Sequence, residues 1–218
     1  MRHVGRTRVK ICGVTNLEDA LAAAAAGADA IGMVLYAHGA ERQIDADAAR
    51  KIAMALPPFV SAVGVVVNCP TSRVRQLIAH IPLQAIQFHG KEPVQEVRSA
   101  QPVAAIKKLA ATGDLAEQAA AWGKAIVPNL AGLLVESDAG GGTGVETDWS
   151  LAQALDRAAL PPLLLAGGLR PENVTGVVRR VRPWAVDVSS GVEEEPGRKS
   201  PRLMADFVAA VRAADAGA

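Results

Sequence analysis

One rhythm constrains this chain more than anything else in it. A short apolar run is followed by a longer helix-like stretch, and the unit recurs eight times. The runs are 8–14, 30–35, 61–67, 85–88, 103–109, 130–135, 162–166 and 185–188. The stretches that follow them are 16–26, 46–55, 71–79, 93–100, 114–121, 149–155, 171–178 and 201–214. The runs are apolar throughout rather than alternating, which predicts strands buried on both faces, as in a parallel sheet. Eight strand–helix units in 218 residues predict an α/β fold, a single-domain (β/α)8 barrel over 1–218. A doubly wound open sheet is the alternative. No composition break or long linker divides the chain.

Composition narrows the function classes. Half the residues are hydrophobic and 21% are charged, so a full core can form and disorder is excluded. Lys and Arg number 23 against 22 Asp and Glu, which argues against a polyanion binder, because phosphate neutralisation needs a basic surplus. Aromatic residues are 3% of the chain, too few for a base-stacking platform. Two cysteines, Cys12 and Cys69, cannot build a disulfide framework. The first residues lack an apolar signal core, and every apolar run is far shorter than the roughly 20 residues of a membrane span. A cytoplasmic location is expected.

In a barrel the chemistry sits at the C-terminal ends of the strands. There this sequence departs from apolar filler. The first run ends in Lys10, Cys12 and Gly13, and the second leads to Tyr36 and Arg42. The fourth ends in Gln87, His89 and Gly90. The sixth ends in Glu136 and Asp138 and enters a glycine-rich turn with Gly142 and Thr143. The seventh ends in Gly167 and Gly168, and the eighth in Asp187, Ser189 and Ser190. Glycines at strand-to-helix turns expose backbone N–H groups to an anion, and hydroxyls add to them. Any one such turn is equally well a plain tight turn; the set on one rim favours a phosphate site.

The side chains carry two readings each. A lone buried Cys is usually an inert small hydrophobe. Cys12 shares a strand face with Lys10, a neighbour that would favour the thiolate. Cys69, in a turn, reads as structural. Glu136 and Asp138 share parity, and either is a general acid or a cap. Arg42 is a fork for a carboxylate or a surface cation. His89 taken alone is a satisfied polar residue. Glu193, Glu194 and Glu195 read as a solvated acidic turn. No His, Cys and Asp cluster has metal-ligand spacing, and no GxGxxG fingerprint follows the first run.

Six blocks then stand together: KICGVT at 10–15, QFHG at 87–90, GGTG at 141–144 with Asp148 and Trp149 behind it, LAGGLRPEN at 165–173, VDVSSGVE at 186–193 and PGRK at 196–199. In this order, over about 8–211, they resemble the phosphoribosylanthranilate isomerase family of tryptophan biosynthesis. The resemblance implies a (β/α)8 barrel and an Amadori rearrangement of N-(5-phosphoribosyl)anthranilate to 1-(2-carboxyphenylamino)-1-deoxyribulose 5-phosphate, with no metal or organic cofactor. It implies that Cys12 removes the C2′ proton and that Arg42 holds the anthranilate carboxylate. His89 would line the pocket, while Gly142, Thr143, Gly167, Gly168, Ser189 and Ser190 would cradle the phosphate. Lys10 and Asp187 are expected beside the substrate. The partner implied is the small phosphoribosyl substrate, bound by a monomer or homodimer, with neither nucleic acid nor membrane involved.

One departure stands out. The family places Asp directly after the apolar part of the sixth strand, where this chain has Glu136, with Asp138 two residues later. Position favours Glu136 as the general acid and side-chain length favours Asp138, the latter slightly ahead. Two competing readings follow. A phosphosugar epimerase barrel would need His and Asp metal ligands at strand ends, which are not found. A catalytically inert barrel that binds a phosphorylated metabolite is favoured only by Glu136.

Overall fold

A computed structural model describes residues 5–136 and 149–217. Eight strands alternate with eight helices: β1 Arg8–Cys12, α1 Leu17–Ala26, β2 Ala30–Tyr36, α2 Ala46–Ala55, β3 Ser61–Val66, α3 Thr71–His80, β4 Ala85–Phe88, α4 Val94–Arg98, β5 Ala104–Ala110, α5 Leu115–Lys124, β6 Leu130–Glu136, α6 Trp149–Gln153, β7 Leu163–Leu165, α7 Pro171–Val181, β8 Ala185–Val188 and, after a hairpin, α8 Pro201–Ala216. The hairpin is β9 Glu193–Glu195 with β10 Arg198–Lys199, paired antiparallel. β1 to β8 pair in chain order, and β8 returns to β1 in parallel register, with Lys10 opposite Asp187. The barrel is closed, so the open-sheet alternative is excluded and no long strand edge is left exposed.

Closure explains the unbroken apolar runs. Alternate residues of each strand point into the barrel and out toward the helices. Along β6, Leu134 joins an inner cluster with Val63, Ala85, Ile106, Leu164 and Ala185. Its neighbours Leu133 and Val135 belong to the larger outer cluster, which also takes in Val174 of α7 and Phe207, Val208 and Val211 of α8. Both faces are dry, and each Leu, Ile or Val so buried contributes roughly 1.5–3 kcal/mol.

Local signals set the helix starts. The Asn16 side chain accepts from the Asp19 N–H at 2.8 Å, and Asp45 accepts from Ala48 at 2.8 Å. At α7 the Asn173 carboxamide accepts from the Arg170 N–H at 2.9 Å and donates to the Gly168 carbonyl at 2.9 Å, tying the cap to the β7 turn. α4 is shorter than the expected 93–100. Pro93 stands ahead of its first turn and Pro102 follows closely behind, and proline cannot continue a helix. The acidic turn expected at 193–195 is instead strand β9. Among the described residues, no helix is long and apolar enough to cross a membrane.

Candidate active site

The C-terminal ends of the strands surround a cavity of about 410 Å³. Cys12, Arg42, His89, Glu136, Gly167, Gly168, Asp187, Ser189 and Ser190 all line it. Residues from near both ends of the chain, Cys12 and Ser190 among them, are thus brought to one rim. Gly142, Thr143 and Asp138 lie outside the described residues.

Inward parity puts Lys10 and Cys12 in one column of β1. Both side chains lie over Gly32 of β2, where a Cβ would stand 2.8 Å from the Cys12 Sγ and 2.9 Å from the Lys10 Nζ. Glycine there makes the space for both. Lys10 itself is buried below the cavity, 3% exposed, and is not one of its walls. Its Nζ donates to the Asp187 Oδ2 at 2.8 Å. Lys10 thus stands behind the cavity wall, against Asp187. Burial opposes its charge, but the Asp187 carboxylate and the Cys12 sulfur outweigh burial and hold its pKa above the ordinary value.

Cys12 is partly exposed, toward the cavity. The expectation that Lys10 would favour its thiolate is half right. Lys10 and Lys199 do pull the thiol pKa down, but burial and the Asp187 charge push harder, and the net shift is upward. Asp187 is raised too, first by burial and then by the nearby Glu136 charge, with Lys10 pulling the other way. Its Oδ1 is buried and has no hydrogen-bond partner among the described residues.

Glu136 ends β6, opposite Ala110, with its side chain 7% exposed. Its Oε2 lies 2.8 Å from the His89 Nε2, outside hydrogen-bond alignment, and has no hydrogen-bond partner among the described residues. The Gln87 carboxamide nitrogen stands 3.0 Å from the His89 Nδ1. With Gln87 donating there, the ring proton sits on Nε2, facing Glu136. His89 is therefore part of the cavity's polar wall, as the family resemblance implies, and has Gln87 and Glu136 for neighbours.

The turns after β7 and β8 press together. A Cβ on Gly191 would fall onto the Leu169 carbonyl oxygen, so only glycine permits this approach. Gly167, Gly168, Ser189 and Ser190 then form one side of the cavity, just ahead of α7.

Arg42 forks onto a carboxylate, but onto one of the chain itself. Its Nε and Nη2 donate to the two Glu193 oxygens at 2.8 and 2.7 Å. Glu193 is 5% exposed, so it is no solvated acid, in contrast to the expectation; Glu194 and Glu195 are exposed. Lys199 Nζ donates to the same carboxylate at 2.6 Å. Glu193 and Lys199 are thus site neighbours missed from the residues themselves. The only sequence signal for them was their membership in the VDVSSGVE and PGRK blocks. Cys69 is buried, its thiol pushed up to about 11 by burial, in keeping with a structural role. Among the described residues, no group of His, Cys, Asp and Glu could hold a metal ion.

Known proteins fit this geometry. The N-(5'phosphoribosyl)anthranilate (PRA) isomerase family matches residues 9–210. An N-(5'-phosphoribosyl)anthranilate isomerase from Pseudomonas aeruginosa is 44% identical over 209 residues, 94% of this chain and 95% of the relative. One from Acidithiobacillus ferrooxidans is 46% identical over 209 residues, 94% of this chain and 97% of the relative. A crystal structure of phosphoribosyl anthranilate isomerase in complex with reduced 1-(o-carboxyphenylamino)-1-deoxyribulose 5-phosphate superposes with a TM-score of 0.83 at 37% identity, covering 95% of this chain and 99% of that one. By sequence and by barrel alike, the chain belongs to the N-(5'-phosphoribosyl)anthranilate isomerase family.

Proposed function

We propose that this chain converts N-(5-phosphoribosyl)anthranilate into 1-(2-carboxyphenylamino)-1-deoxyribulose 5-phosphate, the Amadori step of tryptophan biosynthesis. The observation that carries the reading is one cavity walled by a thiol, a carboxyl, a guanidinium, a glycine turn and a serine–glycine turn, the set this substrate needs. The substrate is an aminoaldose with a phosphate at one end and an aryl carboxylate at the other.

The rearrangement needs an acid and a base. The acid gives its proton to the ribose ring oxygen, the C1′–O bond breaks, and the nitrogen lone pair forms the Schiff base. The base then takes the C2′ proton to give the enolamine, which tautomerises to the ketone. Cys12 is the base in this reading. A thiol held above its ordinary pKa is populated less as thiolate, but the thiolate is then a stronger base. Glu136 is the acid in this reading, supported by its carboxyl at the end of β6 in the cavity wall, with an oxygen free of hydrogen bonds among the described residues. Asp138 is the alternative acid. Arg42 takes the aryl carboxylate, while Gly167, Gly168, Ser189 and Ser190 take the phosphate, with Gly142 and Thr143 completing the cradle. No step consumes a redox equivalent.

The test is an assay with phosphoribosylanthranilate generated in place, since it is labile, following formation of the aminoketose product by chromatography. Turnover is expected. Tight binding of the reduced product analogue without turnover would replace the isomerase by a binding-only barrel.

A further inference from the structure

Arg42 is assigned to a substrate carboxylate, yet two of its N–H groups are already spent on Glu193. A guanidinium has five N–H donors in a rigid plane. Nε and one hydrogen of Nη2 face Glu193. The other Nη2 hydrogen and both on Nη1 form the end-on edge, and Arg42 lines the cavity.

Glu193 cannot easily swing away to leave Arg42 free. Its Oε1 accepts from Lys199 Nζ at 2.6 Å and from the Gly197 N–H at 3.4 Å as well as from Arg42. The hairpin that carries it is pinned at two further points. Thr15 Oγ1 donates to the Gly197 carbonyl at 2.6 Å, and the Lys199 N–H donates to Asp19 Oδ2 at 2.9 Å. Lys199 Nζ also lies 3.2 Å from the Ser189 carbonyl, on the β8 turn.

We infer that Glu193 is a specificity-determining positioning residue, which fixes the plane of the Arg42 guanidinium so that its free edge receives the carboxylate of the substrate's aryl end. The inference rests on the function proposed above. Two physical points support it. Arg42 stands on a loop after β2, where a long side chain would otherwise spread over many rotamers. A bidentate fork selects one plane. The second point is charge. Arg42 and Lys199 repel one another, and Glu193 between them keeps both in place while leaving the trio with one net positive charge for an anionic ligand. Burial pushes the Glu193 carboxyl up, but the Arg42 and Lys199 contacts outweigh it and hold it below its ordinary value, so the fork is ionised at neutral pH.

The experiment compares two non-reacting ligands by calorimetry: the reduced product analogue with its 2-carboxyphenyl group, and the same molecule with a plain phenyl group. The wild type is expected to prefer the carboxylate by at least about tenfold, the low end for a charged hydrogen bond. Glu193→Gln should lose roughly that whole preference while its Kd for the phenyl ligand changes by less than about threefold. Glu193→Asp keeps the charge but is one methylene shorter, and it should lose most of the preference too; it carries the test if the Gln variant does not fold. A role in stability alone would weaken both ligands equally. Equal weakening, or a preference kept in both variants, overturns the inference. If the wild type turns over the substrate and the preference survives in the variants, only the Glu193 role falls. If the wild type shows no carboxylate preference and no turnover, the proposed function falls with it.

Discussion

Two buried lysine–carboxylate pairs in this barrel look alike and differ in one respect. Lys10 meets Asp187 at 2.8 Å inside the barrel, and Lys107 meets Glu92 at 2.7 Å outside it. All four side chains are at most 5% exposed. The outer pair is saturated. Lys107 Nζ also donates to the Gly90 carbonyl at 2.6 Å, and Glu92 Oε1 accepts from the Asn68 and Gly90 N–H groups at 2.7 and 3.1 Å. It staples the turns after β3 and β4 and so steadies the segment that carries His89. The inner pair is not saturated: Asp187 Oδ1 has no hydrogen-bond partner among the described residues, and Asp187 lines the cavity. Burial lowers the Lys107 pKa despite Glu92, whereas at Lys10 the carboxylate and the neighbouring sulfur overcome burial. A buried charge with every partner present is architecture. One with a lone pair left over, facing a cavity, is poised for something that enters it.

The sharpest test of that contrast is Cys12→Ala, which removes the chemical neighbour of the inner pair. Turnover should fall by roughly 10²–10⁴-fold, the usual range for a lost general base. Affinity for the reduced product analogue should hold within about threefold, because proton abstraction belongs to the transition state. A kcat lowered by that range with Kd held within about threefold is the paired readout; near-normal kcat would remove Cys12 from the base role.

Glu92→Ala attacks the outer pair. It leaves Lys107 buried without its counter-ion and orphans two backbone N–H groups, so unfolding free energy should drop by about 3–5 kcal/mol in urea titration. Asp187→Asn attacks the inner pair and should cost less, about 1–3 kcal/mol. Asn keeps an oxygen for Lys10, and burial already penalises the native carboxylate. Activity should rank the other way among molecules that remain folded, with Asp187→Asn the slower enzyme. A larger stability loss at Asp187 than at Glu92 would erase the distinction between the two pairs.

The smallest effect concerns Glu193, which is saturated like Glu92 yet sits at the site like Asp187. Its folded pKa lies below the ordinary value of 4.5. Its ion pairs therefore contribute their full stability above that ordinary value, and the contribution is lost as pH falls through the lowered one. Stability against pH should fall less steeply below about 4.5 in Glu193→Gln than in the wild type. Identical slopes would mean that the carboxylate is not paired in solution.

Much of the barrel was legible in the sequence because its cause is local. A strand buried on both faces must be apolar at every position, and the helix between two strands must carry its own start signal, as Asn16 and Asp45 do. The spans 46–55, 85–88 and 185–188 come out unchanged in α2, β4 and β8. Strand-end position also pointed to Cys12, Arg42, His89, Glu136 and Asp187, and the structure gathers these around one cavity. The hairpin of β9 and β10 was not legible. Three consecutive glutamates read as solvated, since nothing adjacent in the chain neutralises them.

The sequence by itself determined the order of elements, the parallel sheet and the strand ends on which polar side chains collect, because periodicity and capping act within a few residues. Tertiary structure alone decided what each polar side chain meets. Glu193 is buried because Arg42 comes from 151 residues away, and Lys10 stays charged because Asp187 comes from 177 away. Cys12 ends above its ordinary pKa rather than below it, because burial and the charge of Asp187 exceed the pull of Lys10. Charge, burial and spare hydrogen-bonding capacity depend on distance through space, and chain closure sets that distance.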